Sequence, residues 1–374
     1  MKKMIIASLM GANLLNGGLL QATQNGENDG IQAICATANI ECLMSDAGVV
    51  VGRPGSTALY AEGIDRAAES FQRYFGQIAP QAAVVLGEVA DADIRASLLK
   101  AYPVVLPWLT IKDREAMVAR SVRAQITRQY PDMDAATLNA TVERSVQASL
   151  NANGGAGHSG GGASEDVHQG VFAHELGHLF FVRTFWPDEN MNIMESRPAN
   201  VSRYAGPGPD WLDEMSAVLM ENEALTQGRI TGLNTVSENQ DFSKMWPLDD
   251  YFTIVHPAFE QARAMIAARQ RTAEGRAQGN VVILSREDLN ARDDGRSPAM
   301  FYSQSRGFAD YMIETTGNEQ IFAEIAKHIA AGGDMISWLE KVGKNYGLEP
   351  TIEGLETEFH SWLTERYEDS EVES

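Results

Sequence analysis

The feature that most constrains this chain is the stretch "VFAHELGHLFFV", residues 171–182, which places ionisable side chains inside an apolar segment. His174 and His178 are four residues apart, and Glu175 follows the first histidine. On an α-helix, residues four apart lie on the same face, one turn above the other. We therefore expect a helix that either holds a metal ion between the two imidazoles or buries them with hydrogen bonds to carbonyl groups.

The spacing HExxH favours the metal site. Neutral imidazole suits Zn²⁺, which accepts four-coordinate geometry with one position left for water. Glu175 projects about 100° around the helix from His174, which is near the ion but outside its ligand set. Gly177 allows a neighbouring element to approach closely. The motif therefore predicts one zinc ion bound by His174 and His178, with Glu175 as the general base.

A catalytic zinc site of this kind needs a third protein ligand. The pattern HExxHxxGxxH would supply a histidine, but Phe181 and Thr184 stand at the positions where it requires Gly and His. The other source is a glutamate from a later helix. The stretch "WLDEMSAV", residues 211–218, offers Glu214, and Ala217 lies one turn along on the side where a second helix must pack. We therefore predict Glu214 as the third ligand.

Other acidic residues near Glu214 remain alternatives at this point. The helical pattern runs from Trp211 to about Thr226 and becomes polar toward its end. Asp213 is adjacent to Glu214, and both Glu221 and Glu223 lie further along the same predicted helix.

Composition excludes some classes of partner. The chain has 30 basic and 51 acidic residues and a formal net charge of −21. Phosphate binding needs a positive surface, so we expect no nucleic-acid partner. Beyond the first residues, no stretch approaches the roughly 18 apolar residues that cross a bilayer. We therefore expect no membrane span in the mature chain.

The first residues, "MKKMIIASLMGANLLNGGLLQATQ", combine two lysines, an interrupted apolar run and small residues. This pattern is typical of a secretory signal peptide, here residues 1–22, with Ala22 as the cleavage point. The alternative is a partly buried N-terminal helix. Export to the periplasm or secretion would allow Cys35 and Cys42 to form a disulfide that closes a small loop.

The remainder divides into four predicted parts. Residues 23–44 form a lead-in that contains the cysteine pair, and residues 45–110 form a small mixed α/β subdomain in which strand and helix patterns alternate. Residues 111–367 form a mainly helical region with the zinc motif, and residues 368–374 form an acidic tail. The predicted fold class is α+β.

Two segments lack helical periodicity. Residues 154–166 are rich in Gly but lack the GK[ST] ending of a phosphate loop, so we interpret them as a connector or lid. His158 within them is expected to be exposed. Residues 187–210 are rich in Pro and Asn, and both segments are candidates to gate a cleft.

The pair "HELGH" and "WLDEMSA" resembles the motifs of the gluzincin metallopeptidases, the thermolysin- and aminopeptidase-like enzymes of peptidase clan MA, and in particular bacterial peptidase-MA-like proteins. The stretch "YSQSRGFADYMIETTG" and the helices after it extend the likeness over most of residues 45–367. The GxMEN motif of the aminopeptidases is not present before HExxH, and the interval from His178 to Glu214 is longer than theirs. Both departures weaken an assignment to the aminopeptidases.

The resemblance implies a thermolysin-like catalytic domain and zinc-dependent hydrolysis of peptide bonds in a peptide or protein substrate. It also places the start of a late helix beside the site, which makes Tyr302 the candidate donor to the tetrahedral oxyanion. Tyr311 and His256 are alternatives for this role. Two other functions fit the same motifs: a non-catalytic zinc-binding or assembly protein on a peptidase-like fold, and a zinc hydrolase acting on other substrates.

Overall fold

The computed structural model of the chain describes residues 31–89, 91–152, 164–187, 206–260 and 296–368. Within this part, one four-stranded sheet has the order β1-β2-β3-β4. Its strands are β1 (Glu41–Ser45), β2 (Gly48–Gly52), β3 (Ala82–Leu86) and β4 (Val104–Trp108). The first two strands are antiparallel, and β2, β3 and β4 are parallel, which makes the sheet mixed.

Helices make up most of the rest of the described chain. They are α1 (Ala58–Phe75), α2 (Ala92–Ala101), α3 (Ile111–Gln129), α4 (Ala135–Ala152), α5 (Glu165–Phe185), α6 (Asp210–Met220), α7 (Glu223–Glu238), α8 (Leu248–Tyr251), α9 (Pro298–Thr316), α10 (Ile321–Ala330), α11 (Met335–Lys341) and α12 (Ile352–Glu368). A small mixed sheet with a larger helical part confirms the predicted α+β class.

Alternate side chains of the sheet enter two separate cores. Val50 and Val84 face the larger core, which contains α1 and α5, whereas Val49 and Val85 face a smaller core with Leu98 of α2. This alternation follows from the two-residue period of a strand. Every residue of β2 and β3 is buried, as expected for strands covered on both faces. The larger core therefore connects the sheet to the helix that carries HExxH.

The apolar residues that follow HExxH pack against α1. The ring centroids of Phe180 and Phe71 are 5.8 Å apart, and those of Phe181 and Phe75 are 5.6 Å apart. These contacts fix the rotation of α5 about its axis. The histidines consequently face the side of α5 on which α6 lies.

Several predicted boundaries are confirmed. The helical pattern that begins at Glu165 and runs to about Phe185 predicts the bounds of α5, and the structure confirms them. Ser164 caps this helix by accepting a hydrogen bond from the backbone N–H of Val167. The helical spacing of apolar residues within 61–76 predicts a helix that stops at Gly76, and α1 ends there. The φ of Gly76 is 61°, in the left-handed region that glycine adopts without strain. Cys35 and Cys42 form a disulfide, as the sequence suggested.

Two predicted boundaries are wrong. Strand β1 occupies residues assigned to the lead-in, because pairing with β2 gives order to a short segment without clear alternation. The helix expected from Trp211 to Thr226 is two helices, since Glu221 has an extended backbone (φ −59°, ψ 148°). Asn222 then begins α7 by accepting a hydrogen bond from the backbone N–H of Leu225 at 3.3 Å.

Some predictions fall outside the described residues. They are the signal peptide at 1–22, His158, most of the segments 154–166 and 187–210, and the tail after residue 368. Among the residues that the structure does describe, no helix is long and apolar enough to cross a membrane.

Candidate metal centre

Helices α5 and α6 approach each other closely at Gly177. A Cβ atom at this position would lie 2.8 Å from Cα of Ala217 and 2.9 Å from Cγ of Met220. The hydroxyl of Ser216 also donates a hydrogen bond to the carbonyl of Gly177 at 3.3 Å. The sequence-based expectation of a tight approach at Gly177 and Ala217 is thus met, and it brings Glu214 to the histidine face of α5.

His174, His178 and Glu214 form a buried group with the donor atoms of a metal site. One ligand atom from each lies within 4.8 Å of the others. His174 Nε2 is 3.2 Å from Glu214 Oε1, and His178 Nε2 is 3.7 Å from Glu214 Oε2. Bonds of about 2.0–2.2 Å to a tetrahedral zinc ion separate neighbouring ligand atoms by about 3.4 Å. The exposed fractions are 7%, 4% and 0%, so the group is largely removed from water.

Each histidine has a carboxylate behind it. Nδ1 of His174 donates to Oε1 of Glu221 at 2.9 Å, and Nδ1 of His178 donates to Oδ1 of Asp213 at 3.0 Å. We assign the hydrogens to Nδ1 because an ionised carboxylate only accepts, which leaves Nε2 with its lone pair toward Glu214. Carboxylates in this position orient metal-binding histidines.

The structure therefore separates the candidate third ligands. Glu214 lies opposite both Nε2 atoms, whereas Asp213 and Glu221 bind the opposite sides of the imidazole rings. Glu223 is exposed in the first turn of α7 and does not join the group.

The buried site carries an excess of negative charge. Asp213, Glu214 and Glu221 contribute three negative charges, and Arg229 contributes one positive charge, which leaves −2 when both imidazoles are neutral. Nε and Nη2 of Arg229 donate to the two oxygens of Glu221 at 3.1 and 2.8 Å. Buried charge is stable only when it is compensated. A divalent cation would offset this excess of negative charge.

Two acceptor atoms face each other where the cation would lie. Nε2 of His174 and Oε1 of Glu214 are 3.2 Å apart, and this oxygen is buried with no hydrogen-bond partner among the described residues. Acceptors at this distance repel each other unless a proton or a cation lies between them. The donor set, the histidine tautomers and the charge balance all fit a divalent metal ion.

The pKa values of His178 and Glu214 reflect the excess of negative charge at the site. Burial lowers the pKa of His178, but the charges of Asp213 and Glu214 and the hydrogen bond to Asp213 raise it by more, to about 10. Burial raises the pKa of Glu214, but the histidines around it, His174 first and then His256, lower it to about 2. The site thus attracts positive charge strongly, whether as a proton or as a metal ion.

Glu175, the predicted general base, has a different environment from the ligands. It is partly exposed, whereas His174 and His178 on either side of it are buried. Its charge also adds to the electrostatic field that acts on His178, after the larger effects of burial, Asp213 and Glu214. The carboxylate is therefore close to the metal site and still accessible from outside.

The structure brings Tyr302 to the site. Its ring centroid is 5.8 Å from that of His174 and 5.4 Å from that of His256. Burial, followed by the charge of Glu214, raises the pKa of Tyr302 well above its ordinary value, so the hydroxyl keeps its proton and can donate.

The two alternatives to Tyr302 have other contacts. The hydroxyl of Tyr311 donates to Glu358 at 3.2 Å, between α9 and α12. His256 is fully buried, with Nε2 3.0 Å from Oε2 of Glu214, and its backbone N–H donates to Asp210 at 2.8 Å. His256 thus belongs to the site as a partner of the proposed ligand Glu214.

Arg229 is the residue of the site that the sequence did not reveal. It lies in the helix that begins after Asn222, and its role depends on the turn that directs Glu221 toward His174. Asn222 followed by Glu223 is a helix-start signal, and it would have identified this turn.

Comparisons of the chain with protein-family models, with curated proteins and with solved structures find no match. The function must therefore be inferred from the geometry of the site.

Proposed function

We propose that the protein is a zinc-dependent metallopeptidase of the gluzincin type, with a thermolysin-like catalytic domain that acts on a peptide or protein substrate. The observation that carries the proposal is the buried arrangement of His174, His178 and Glu214, with a carboxylate behind each histidine. Glu175, at the second position of HExxH, remains partly exposed beside it.

We propose zinc as the metal because the donor set is one that catalytic zinc sites use. Two imidazole nitrogens and one carboxylate are the protein ligands of several catalytic zinc sites, whereas Mg²⁺ and Ca²⁺ prefer oxygen ligands alone. The bound ion would polarise a scissile carbonyl and lower the pKa of a water molecule.

The residues of the chain supply the remaining chemistry. Glu175 is positioned to accept a proton from the attacking water and to pass it to the leaving amine. The protonated hydroxyl of Tyr302 is the proposed donor to the oxyanion, since Tyr311 is bound to Glu358 and His256 contacts Glu214.

Export to the periplasm or secretion is part of the proposal. The disulfide between Cys35 and Cys42 supports it, because such bonds persist in oxidising compartments. The two lysines and the apolar run within residues 1–22 support it as well.

The decisive experiment combines zinc analysis with a peptide-library assay. Wild type should bind one zinc ion per chain and cleave peptides. Glu175→Gln should retain zinc and lose activity by about 10²–10⁴-fold, the usual contribution of a general base. Glu223→Gln is the matched control, because that carboxylate is exposed on a neighbouring helix, and its activity should equal that of wild type.

Three different results would each contradict one part of the proposal. Zinc binding without cleavage of any peptide by wild type would favour the non-catalytic protein or a hydrolase with another substrate. A chain that binds no zinc would refute the metal site itself. Zinc affinity that is unchanged in Glu214→Ala would show that another residue is the third ligand.

A further inference from the structure

Arg229 lies between a carboxylate and an aromatic ring. Its guanidinium carbon is 4.6 Å from the ring centroid of Tyr302, and its Nε and Nη2 atoms donate to the two oxygens of Glu221. The Arg229 side chain is only 10% exposed. A guanidinium group makes both contacts at once, because its edge matches a carboxylate and its face stacks on a ring.

The same carboxylate oxygen connects Arg229 to the metal site. Oε1 of Glu221 accepts one hydrogen bond from Nη2 of Arg229 at 2.8 Å and another from Nδ1 of His174 at 2.9 Å. The orientation of the His174 ring therefore depends on where Glu221 is held. Glu221 in turn is held by Arg229, and the face of Arg229 is covered by Tyr302.

We infer that the ring of Tyr302 fixes Arg229 and, through Glu221, orients His174 for zinc binding. Tyr302 then has two separable roles, since its ring positions a ligand and its hydroxyl is the proposed oxyanion donor. The inference rests on the proposed zinc site but is independent of peptidase activity. Tyr302 and Arg229 act here as positioning residues, because neither is a ligand.

Substitutions at Tyr302 separate the ring from the hydroxyl. Zinc affinity is measured by competition with a chromogenic chelator, so no substrate is needed. Tyr302→Phe keeps the ring face and should leave zinc affinity within about twofold of wild type. Tyr302→Leu removes the face and should weaken zinc binding about tenfold, the lower end of the range for the loss of an outer partner of a ligand.

Arg229→Lys tests the contact between Arg229 and Glu221. Lysine keeps the charge but cannot form the two-point contact with Glu221 while stacking on the ring. We expect zinc affinity to fall about tenfold. Arg306→Lys is the matched control, because Arg306 makes a similar two-point contact with Asp310, is 15% exposed and lies one turn beyond Tyr302 on α9. It should leave zinc affinity unchanged, and thermal melts of the metal-free variants would report any loss of folding.

Double variants decide whether the residues act in one chain of contacts. Tyr302→Leu should weaken zinc binding much less when Arg229 is already Lys, and Arg229→Lys much less when Glu221 is already Gln. Additive effects would overturn the inference. They would mean that Tyr302 acts through its direct contact with the His174 ring and not through Arg229. Equal losses in Tyr302→Phe and Tyr302→Leu would overturn it too. A wild type that binds zinc but cleaves nothing would refute only the proposed function, and the zinc measurements would stand.

Discussion

Helix α5 carries buried histidines at two places, and their surroundings differ. His168, in the first turns, is 2% exposed, and its Nε2 accepts a hydrogen bond from the indole N–H of Trp108 at 3.0 Å. The hydroxyl of Tyr60 is 3.1 Å from the same nitrogen. His174 lies less than two turns further along, and its Nε2 faces the carboxylate of Glu214 instead.

Both neutral rings carry their hydrogen on Nδ1: Nε2 of His168 accepts from the indole, which can only donate, and Nδ1 of His174 donates to Glu221. The difference lies in what the Nε2 lone pair meets. Neutral N–H and O–H donors satisfy the lone pair of His168 and leave nothing for a metal ion. A carboxylate opposite His174 requires a positive charge between the two acceptors. The partner of the lone pair, more than burial, therefore distinguishes a packing histidine from a ligand.

The pKa values of His168 and of His178, the other proposed ligand on α5, also differ. Burial, followed by the positive charge of Arg114, lowers the pKa of His168 to about 4. At His178 the effect of burial is outweighed by Asp213 and Glu214, and the pKa is raised to about 10. One helix thus holds a histidine that resists protonation and another that attracts positive charge.

The largest expected effect is the difference in zinc binding between two single variants, each with one histidine of α5 replaced by glutamine. His174→Gln removes a proposed ligand and should abolish stoichiometric zinc binding, because two ligands on separate helices hold the ion poorly. His168→Gln should keep one zinc ion per chain. Zinc content after gel filtration in a weak chelator measures both. Equal zinc loss in the two variants would show that His168 and His174 do not differ in their role at the metal site.

The protonation of His168 should lower the free energy of unfolding in acid. Its folded pKa of about 4 is below the ordinary value of 6.5, so the unfolded chain binds more protons between these pH values. The stabilisation from the neutral ring is complete above pH 6.5 and is lost as the pH falls toward 4, by up to about 3 kcal/mol. Urea unfolding of the metal-free protein should therefore show the gap between wild type and His168→Gln narrowing over this range.

Other groups also titrate in acid, but they are common to both proteins. The gap between wild type and variant isolates His168 for this reason. A gap that stays constant from pH 7.5 to 4 would mean that this histidine is already solvated in the folded state.

Gly177→Ala tests whether the ligand end of α5 depends on the close approach of α6. The new Cβ would meet backbone of Ala217 at 2.8 Å, so α6 must shift, at an expected cost of about 1–3 kcal/mol. Glu214 moves with α6, and zinc affinity should fall as well. Urea unfolding and chelator competition measure the two effects.

Gly307→Ala is the matched control within α9. A Cβ there would first meet the terminal carbon Cδ1 of Leu233 at 2.7 Å, and a side-chain end can rotate away. The variant should cost less stability and keep the zinc affinity of wild type. If Gly177→Ala behaves in the same way, the tight approach does not position Glu214.

The sequence was sufficient for the features that depend on spacing within one segment. The bounds of α5 follow from the periodicity of its apolar residues, and His174 and His178 follow from their four-residue separation. Glu214 could be selected because a site with two histidines restricts the source of the third ligand. Such local rules operate before any tertiary contact forms.

The outer parts of the site could not be predicted in the same way. Asp213 and Glu221 are on the same short segment as Glu214. Only the packing of α6 on α5 and the helix break at Glu221 decide which carboxylate faces Nε2. Arg229 depends on that break too. Strand β1 was missed for a similar reason, since its order comes from pairing with β2.

The smallest expected effects concern the two donors to His168. Trp108 and Tyr60 approach the same Nε2 atom, at 3.0 and 3.1 Å, and its one lone pair is satisfied by either. Trp108→Phe or Tyr60→Phe alone should therefore lower the free energy of unfolding by about 1 kcal/mol or less. The double variant leaves a buried acceptor unsatisfied and should lose about 1–3 kcal/mol beyond the sum of the single losses. Zinc affinity should stay constant in all three proteins. Additive losses would show that the two donors serve different groups, and weaker zinc binding would show that the two kinds of histidine on α5 are coupled.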